Sequence, residues 1–144
     1  MFLGVMVIRG FQQKRSRGES ELALIVKSKR LCGYVLTVTD KSPKKFRFTP
    51  VNRLQNYGLD IVESLCKANL VRVRGREDAA RIDERKSHRR GAYVGLKTLA
   101  CLALIAKEQG CILPKQCEQI STRVAEAIRL LVAWGRSDRE RYGG

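Results

Sequence analysis

The sequence predicts an all-α protein, an antiparallel up-and-down four-helix bundle. Apolar residues recur at helical spacing in four segments, and short polar connections join these segments. The 144 residues suffice for one domain with a single core. Aromatic residues make up only 6% of the chain and prolines number three, so a core of aliphatic side chains favours helices over short strands. We expect a bundle over 19–138, a flexible basic leader over 1–18 and a frayed tail over 139–144.

The first helix is predicted from Glu19 to about Thr39. Its apolar positions are Leu24, Leu31, Val35 and Val38. The second half, GYVLTVTD, is rich in β-branched residues and would favour a strand outside a helical context. The leader has an apolar run of about seven residues and no basic region before it, which excludes a signal peptide and a membrane span.

The second helix is predicted to begin at Thr49-Pro50, with the threonine as cap and the proline at the first helical position. It should fade near 72–75. Its apolar seam steps by three and four residues through Val51, Leu54, Gly58, Ile61, Leu65 and Ala68. Gly58 on this seam would let a neighbouring backbone come close, at a cost of about 1 kcal/mol relative to alanine.

The third helix is predicted from about Arg76 to Gln109, with Glu77 and Asp78 beside its positive end. Its apolar stripe is Leu96, Leu99, Ala103 and Ala106, and extrapolation towards the N-terminus reaches Ala92, Arg89, Arg85 and Ile82. Two arginines thus stand where the core is expected. Either this half of the helix overhangs the bundle, or the stripe faces a charged partner or a hydrated interface between subunits.

Two further features complete the helical pattern. Gly91 and Gly95 form a G-x-x-x-G spacing that fits either tolerated glycines or close helix packing.

The fourth helix is predicted to start at Pro114. Its apolar stripe is Cys117, Ile120, Val124, Ala127, Leu131 and Trp134.

Charge points to an anionic partner. The 29 Lys and Arg against 14 Asp and Glu give a net charge of +15, concentrated in residues 1–53 and 71–97. Such an excess favours nucleic acid over a membrane surface or mere solubility. The principal candidates for nucleic-acid binding are Arg72, Arg74, Arg76, Arg81, Arg85, Lys86, Arg89 and Arg90. Arg81, Arg85 and Arg89 are spaced i, i+4, i+8, and we expect them to form a solvent-facing ridge that follows successive phosphates. The alternative is a solvated face paired with local carboxylates.

A second basic group precedes and opens the second helix. Its members are Lys41, Lys44, Lys45, Arg47 and Arg53. They interleave with Phe46 and Phe48, as in surfaces that stack single-stranded bases. The simpler interpretation, which we favour from sequence alone, is that the phenylalanines fasten the loop onto the bundle.

The chain has no recognisable catalytic, cofactor or metal motif. His88 is the one histidine, and no serine elbow, phosphate loop or H-E-x-x-H is present. Asp83 and Glu84 are better explained by pairing with Arg81 or Arg85 than by a divalent ion. The five cysteines lack C-x-x-C spacing, which is typical of small apolar residues in a reducing cytoplasm. We expect a non-enzymatic cytoplasmic protein without cofactor or metal.

The chain resembles a four-helix-bundle family over residues 19–138. The family includes Avd, the accessory variability determinant of diversity-generating retroelements, and proteins encoded in intervening sequences of bacterial large ribosomal RNA genes. The resemblance rests on FRFTPVNRLQNYGLDIVESLCKAN, on LKTLACLALIAKEQGCILPKQCEQI and on IRLLVAWGRSDR, where the seam ends in Trp134. The leader 1–18 lies outside the family pattern.

The resemblance implies a homopentameric barrel of bundles that does no chemistry itself. It implies binding to a reverse transcriptase and to its template RNA, in support of mutagenic complementary-DNA synthesis. The basic positions on the third helix and around the loop before the second helix would be the contacts, with RNA or DNA as ligand. The alternative within the family is an intervening-sequence-type or orphan bundle that binds RNA without a polymerase partner.

Overall fold

The computed structural model describes residues 17–143, with side chains from residue 20 onward. This part of the chain is all-helical and contains no strand, as predicted. The helices are α1 (Arg17–Asp40), α2 (Asn52–Leu70), α3 (Ala79–Glu108) and α4 (Pro114–Tyr142). The predicted leader lies outside the described residues, apart from the two residues that open α1. No helix in the described range is both long and apolar enough to span a bilayer.

The four helices pack as a ring in which α1 and α3 each contact α2 and α4. At one end of the bundle, Arg85 in the first half of α3 donates hydrogen bonds to three other helices. The acceptors lie in the first turns of α1 and in the last turns of α2 and α4. At the other end, Gln55 near the start of α2 donates to Thr39 at the end of α1. Adjacent helices therefore run in opposite directions.

The predicted apolar stripes form the core. Every member of the α2 and α4 stripes is buried, as are the four positions predicted for α1 and the stripe from Ala92 to Ala106 on α3. Trp134 and Leu54 are among the largest buried side chains, and each such side chain contributes about 1.5–3 kcal/mol when removed from water. The β-branched end of α1 is helical because Val35 and Val38 bury against the other helices, which overrides its strand propensity.

The predicted start of α2 is wrong. The helical backbone begins earlier, with a 3₁₀ turn at Lys44–Phe46 and a π-helical turn at Arg47–Val51, and Thr49 makes no capping hydrogen bond to α2. Pro50 lies inside the π-helical turn. A proline is tolerated anywhere in a first turn because those N–H groups have no partner within the helix, so Thr49-Pro50 does not fix the start to one residue.

The bounds of α3 and α4 also differ from prediction. Residues 71–78 form an irregular connection, and α3 begins at Ala79 rather than at Arg76. The predicted start at Pro114 is confirmed, but α4 continues beyond residue 138 to Tyr142 instead of ending in a frayed tail. Contacts to other elements hold these last turns, since Arg76 Nη2 donates to the carbonyl oxygen of Glu140 at 2.9 Å.

The glycines of the G-x-x-x-G pair differ in their surroundings. A Cβ added at Gly95 would lie 2.9 Å from Cγ1 of Ile61, whereas one at Gly91 would have an ordinary 3.5 Å contact with Ser64 Oγ. Close packing therefore applies to Gly95 alone. At Gly58 an added Cβ would lie 3.5 Å from Cα of Cys32, so the predicted close approach of a neighbouring backbone is confirmed.

Candidate nucleic-acid interface

Arg85 is buried in the first half of α3, with 6% of its surface exposed. Its Nε and Nη2 donate to the two carboxylate oxygens of Asp138 on α4, at 2.6 and 3.1 Å. Nη2 also donates to Glu21 Oε1 on α1 at 2.9 Å, and Nη1 donates to the carbonyl oxygens of Ala68 and Val71, both at 3.3 Å. All five N–H donors of the guanidinium are thus satisfied. One side chain joins the four helices at this end of the bundle.

Two more arginines share the same carboxylates. Arg89, one turn after Arg85, donates through Nη1 to Asp138 Oδ2, and Arg141 Nη2 donates to Glu21 Oε1 at 3.4 Å. The guanidinium carbons of Arg85 and Arg89 lie 5.0 and 5.9 Å from the ring centroid of Trp134, within cation–π range. We call Glu21, Arg85, Arg89, Asp138 and Arg141 the buried ion cluster. Three cations against two carboxylates leave it with one excess positive charge.

The pKa values of the two stacked arginines shift in opposite directions. Burial by itself would lower the pKa of Arg85, but the hydrogen bonds and charges of Asp138 and Glu21 raise it above its ordinary value. Burial lowers the pKa of Arg89, which Asp138 offsets only in part because the charge of Arg85 adds to the lowering. Arginine stays charged in either case. The cluster therefore remains ionic, and its excess charge lies at the base of the surface described next.

The predicted solvent-facing ridge is not present. Of its three members only Arg81 is exposed; Arg85 is buried, and the side chain of Arg89 is 11% exposed and donates to Asp138. The arginines that replace apolar residues on the α3 stripe neither overhang the bundle nor need a partner, because α1 and α4 of the same chain supply their carboxylates. Arg85 is thus removed from the set of direct nucleic-acid contacts.

Above the buried ion cluster lies a basic depression of about 760 Å³, which we call the arginine cleft. It is formed by the end of α2, the irregular connection, the start of α3 and the end of α4. Its charged lining comprises Arg72, Arg74, Arg81, Arg85, Arg141 and Glu21. Arg72, Arg74 and Arg81 are exposed and make no ion pair with any described residue. Their guanidinium groups are available to an anion, and arginine forks match phosphate oxygens well.

The other predicted residues of 71–97 are not part of the cleft lining. Arg76 and Arg90 are exposed, and Arg76 also fastens the connection to α4. Lys86 is exposed on α3. Of the exposed basic residues predicted in this region, the structure brings together Arg72, Arg74 and Arg81.

The second basic group lies at the opposite end of the bundle, so the two groups do not form one site. Its five members are all exposed: Lys41, Lys44, Lys45, Arg47 and Arg53. Phe46 packs against the core, as expected if it fastens the loop, and Lys45 Nζ lies 5.1 Å from its ring centroid. Phe48 is 84% exposed and contributes nothing to the core. The two phenylalanines therefore have different roles.

Glu21, Asp138 and Arg141 were not predicted as functional residues from the sequence. A signal was present for the two acids. Glu21 continues the α1 stripe three residues before Leu24, and Asp138 continues the α4 stripe four residues after Trp134. Two carboxylates on apolar stripes are expected to pair with cations on a facing stripe, because a buried charge needs a partner. Arg85 is that cation.

The described residues include one histidine and five cysteines. No three His, Cys, Asp or Glu side chains among them lie close enough to hold a metal ion. His88 is partly exposed, with Nε2 3.9 Å from Glu84. All five cysteines are free thiols, and burial raises the pKa of Cys32, which disfavours the reactive thiolate.

Comparison with known proteins adds no relative. The chain matches no protein-family model, no curated protein and no solved structure.

Proposed function

We propose that the protein is a non-enzymatic, cytoplasmic nucleic-acid-binding accessory protein that holds the phosphate backbone in its arginine cleft. The observation that carries this proposal is the set of three exposed arginines without carboxylate partners, Arg72, Arg74 and Arg81, around one concave surface. A solvated face would pair its charges with neighbouring acids. Here the nearby carboxylates Glu21 and Asp138 are already engaged by the buried ion cluster.

Substitution of the three exposed arginines tests the proposal. The variant R72Q/R74Q/R81Q should bind single-stranded RNA more weakly without a fall in melting temperature, because these side chains make no ion pair with any described residue. Three lost phosphate contacts should reduce the slope of log affinity against log salt by about 2. The slope is measured by fluorescence anisotropy at several salt concentrations.

The matched control replaces three exposed cations outside both basic groups, R129Q/R136Q/K115Q on α4. This variant lowers the net charge by the same amount. Equal losses in the two variants would mean that total charge, rather than the cleft, determines binding. That result would contradict the proposal.

The family resemblance gives the proposal its finer form. We propose a homopentamer that binds a reverse transcriptase and its template RNA in a diversity-generating retroelement. The support is the resemblance over 19–138 together with the exposed apolar side chains on α3, including Val94, Leu104 and Ile105, which a subunit contact would cover. Light scattering coupled to size exclusion should give a mass about five times 16.3 kDa. A monomer at micromolar concentration would contradict the ring.

The alternative is an intervening-sequence-type or orphan bundle that binds RNA without a polymerase. Co-purification with a co-expressed retroelement reverse transcriptase separates the two. A reverse transcriptase that stays bound to the protein at moderate salt supports the accessory role. RNA binding by a protein that does not retain the reverse transcriptase supports the alternative.

A further inference from the structure

A second cationic cavity lies between α1 and α4, away from the arginine cleft. Its volume is about 240 Å³, which corresponds to roughly eight water molecules at ~30 Å³ each. Its lining consists of Lys27, Arg30, Gln119, Thr122, Arg123 and Glu126. On α1, Arg30 is nine residues from Glu21 of the cleft, about 14 Å along the helix. The cavity is therefore a separate feature.

Arg123 is held in a fixed position at this cavity. Its guanidinium carbon lies 4.7 Å from the ring centroid of Tyr34, one turn after Arg30 on α1. Its Nε is buried and has no hydrogen-bond partner among the described residues. A buried donor without an acceptor is destabilising, so the Arg123 guanidinium still has the capacity to donate to an added acceptor oxygen.

The charges of the cavity do not balance. Glu126 is its one carboxylate and pairs with Lys27 at 3.0 Å. The hydrogen bond and charge of Lys27 lower the pKa of Glu126, and the charges of Arg129 and Arg123 add to this lowering, so the carboxylate stays ionised. Arg30 and Arg123 make no ion pair within the described part of the chain. Two guanidinium charges thus remain uncompensated in one cavity, beside the hydroxyl of Thr122 and the amide of Gln119.

We propose that this cavity binds a doubly charged phosphate group. A terminal phosphate carries about −1.5 to −2 charges at pH 7, which matches the two uncompensated guanidinium groups, whereas a carboxylate or a backbone diester carries only one. Its oxygens can accept from both arginine forks, and the neutral donors Thr122 and Gln119 suit the remaining acceptor positions. The group belongs either to the 5′ end of a nucleic-acid strand or to a free phosphorylated small molecule.

The test follows the Nε–Hε resonance of Arg123 in ¹⁵N-labelled protein. Inorganic phosphate, added at constant ionic strength, should shift this resonance saturably, while acetate should not. R30Q should weaken phosphate binding at least tenfold, and the control R136Q, which removes an exposed arginine of α4 outside the cavity lining, should leave it within twofold. A linear response without saturation, or an equal response to acetate, would overturn the proposal.

A trinucleotide with or without a 5′-phosphate distinguishes the two sources. Binding of the 5′-phosphorylated form at least tenfold tighter than inorganic phosphate identifies a nucleic-acid end as the ligand. Binding no tighter than inorganic phosphate identifies a free phosphorylated molecule. The R72Q/R74Q/R81Q variant should keep the phosphate-induced shift of the Arg123 resonance. The proposal for this cavity and the proposal for the arginine cleft can therefore fail independently of each other.

Discussion

Arg85 connects four helices through five hydrogen bonds at a buried position. Its role differs from that of Arg81, which occupies the preceding turn of α3 and is exposed. Replacement of a whole buried ion pair by apolar residues is often tolerated, but removal of one partner leaves an uncompensated charge. Without Arg85, Asp138 and Glu21 would keep only Arg89 and Arg141 as cations, and the buried hydrogen bonds that Arg85 donates to both carboxylates would be lost.

The substitution R85Q should therefore destabilise the protein strongly. A cost of about 3–5 kcal/mol in the free energy of unfolding is expected from loss of one partner of a buried pair. Urea unfolding followed by circular dichroism measures this cost. R81Q, the same change one turn earlier, should stay within about 0.5 kcal/mol of wild type. Similar stabilities of the two variants would show that the buried ion cluster does not stabilise the bundle.

Between α2 and α3, packing depends on which glycine faces the neighbouring helix. Gly95 faces the buried Ile61, whose Cγ1 is not the free end of a mobile chain, whereas Gly91 is exposed and has only the Ser64 hydroxyl nearby. A methyl group at Gly95 would push α3 away from α2. The same group at Gly91 meets an ordinary van der Waals contact and reduces the flexibility of the unfolded chain.

These surroundings predict opposite effects for two substitutions in the same helix. G91A should raise the free energy of unfolding by about 0.5–1 kcal/mol, the usual gain when glycine in a helix is replaced by alanine. G95A should lower it by about 1–3 kcal/mol, the usual cost of overpacking a core. Chemical denaturation of both variants gives the comparison. Stabilisation by both would indicate that α2 and α3 separate without cost.

For the whole molecule, the net charge of +15 opposes compaction. The surface ion pairs, such as Lys67–Glu63, are exposed and worth little, since exposed pairs contribute at most about 1 kcal/mol. Self-repulsion is screened by salt over a Debye length of about 10 Å at 0.1 M. Salt should therefore stabilise the free protein while it weakens the proposed RNA binding.

Thermal unfolding at different salt concentrations tests this balance. Raising sodium chloride from 50 to 300 mM should raise the melting temperature by a few degrees, because repulsion among exposed cations is screened and the buried ion cluster is not. The neutral osmolyte sucrose at equal osmolality controls for exclusion effects. A lower melting temperature at high salt would mean that surface ion pairs outweigh the repulsion.

The amino-acid sequence by itself determined the helical segments and the faces they bury. The stripes of α2 and α4 were read correctly residue by residue, because the period of an apolar pattern is a local property of one helix. The concentration of arginine in 71–97 was likewise visible as composition. Local patterns also carried the positions of Glu21 and Asp138 on apolar stripes, although their meaning was missed.

Only the tertiary structure decided what Arg85 and Arg89 contact. Their place on the core stripe was evident from the sequence. The group that faces them could be a carboxylate of the same chain, a partner or solvent. Which of these it is depends on how α1 and α4 are placed against α3. The same holds for Gly91 and Gly95, which share one motif and face different neighbours. Contacts between elements distant in sequence set the energy of a buried charge or an added methyl group, and spacing along one helix does not specify them.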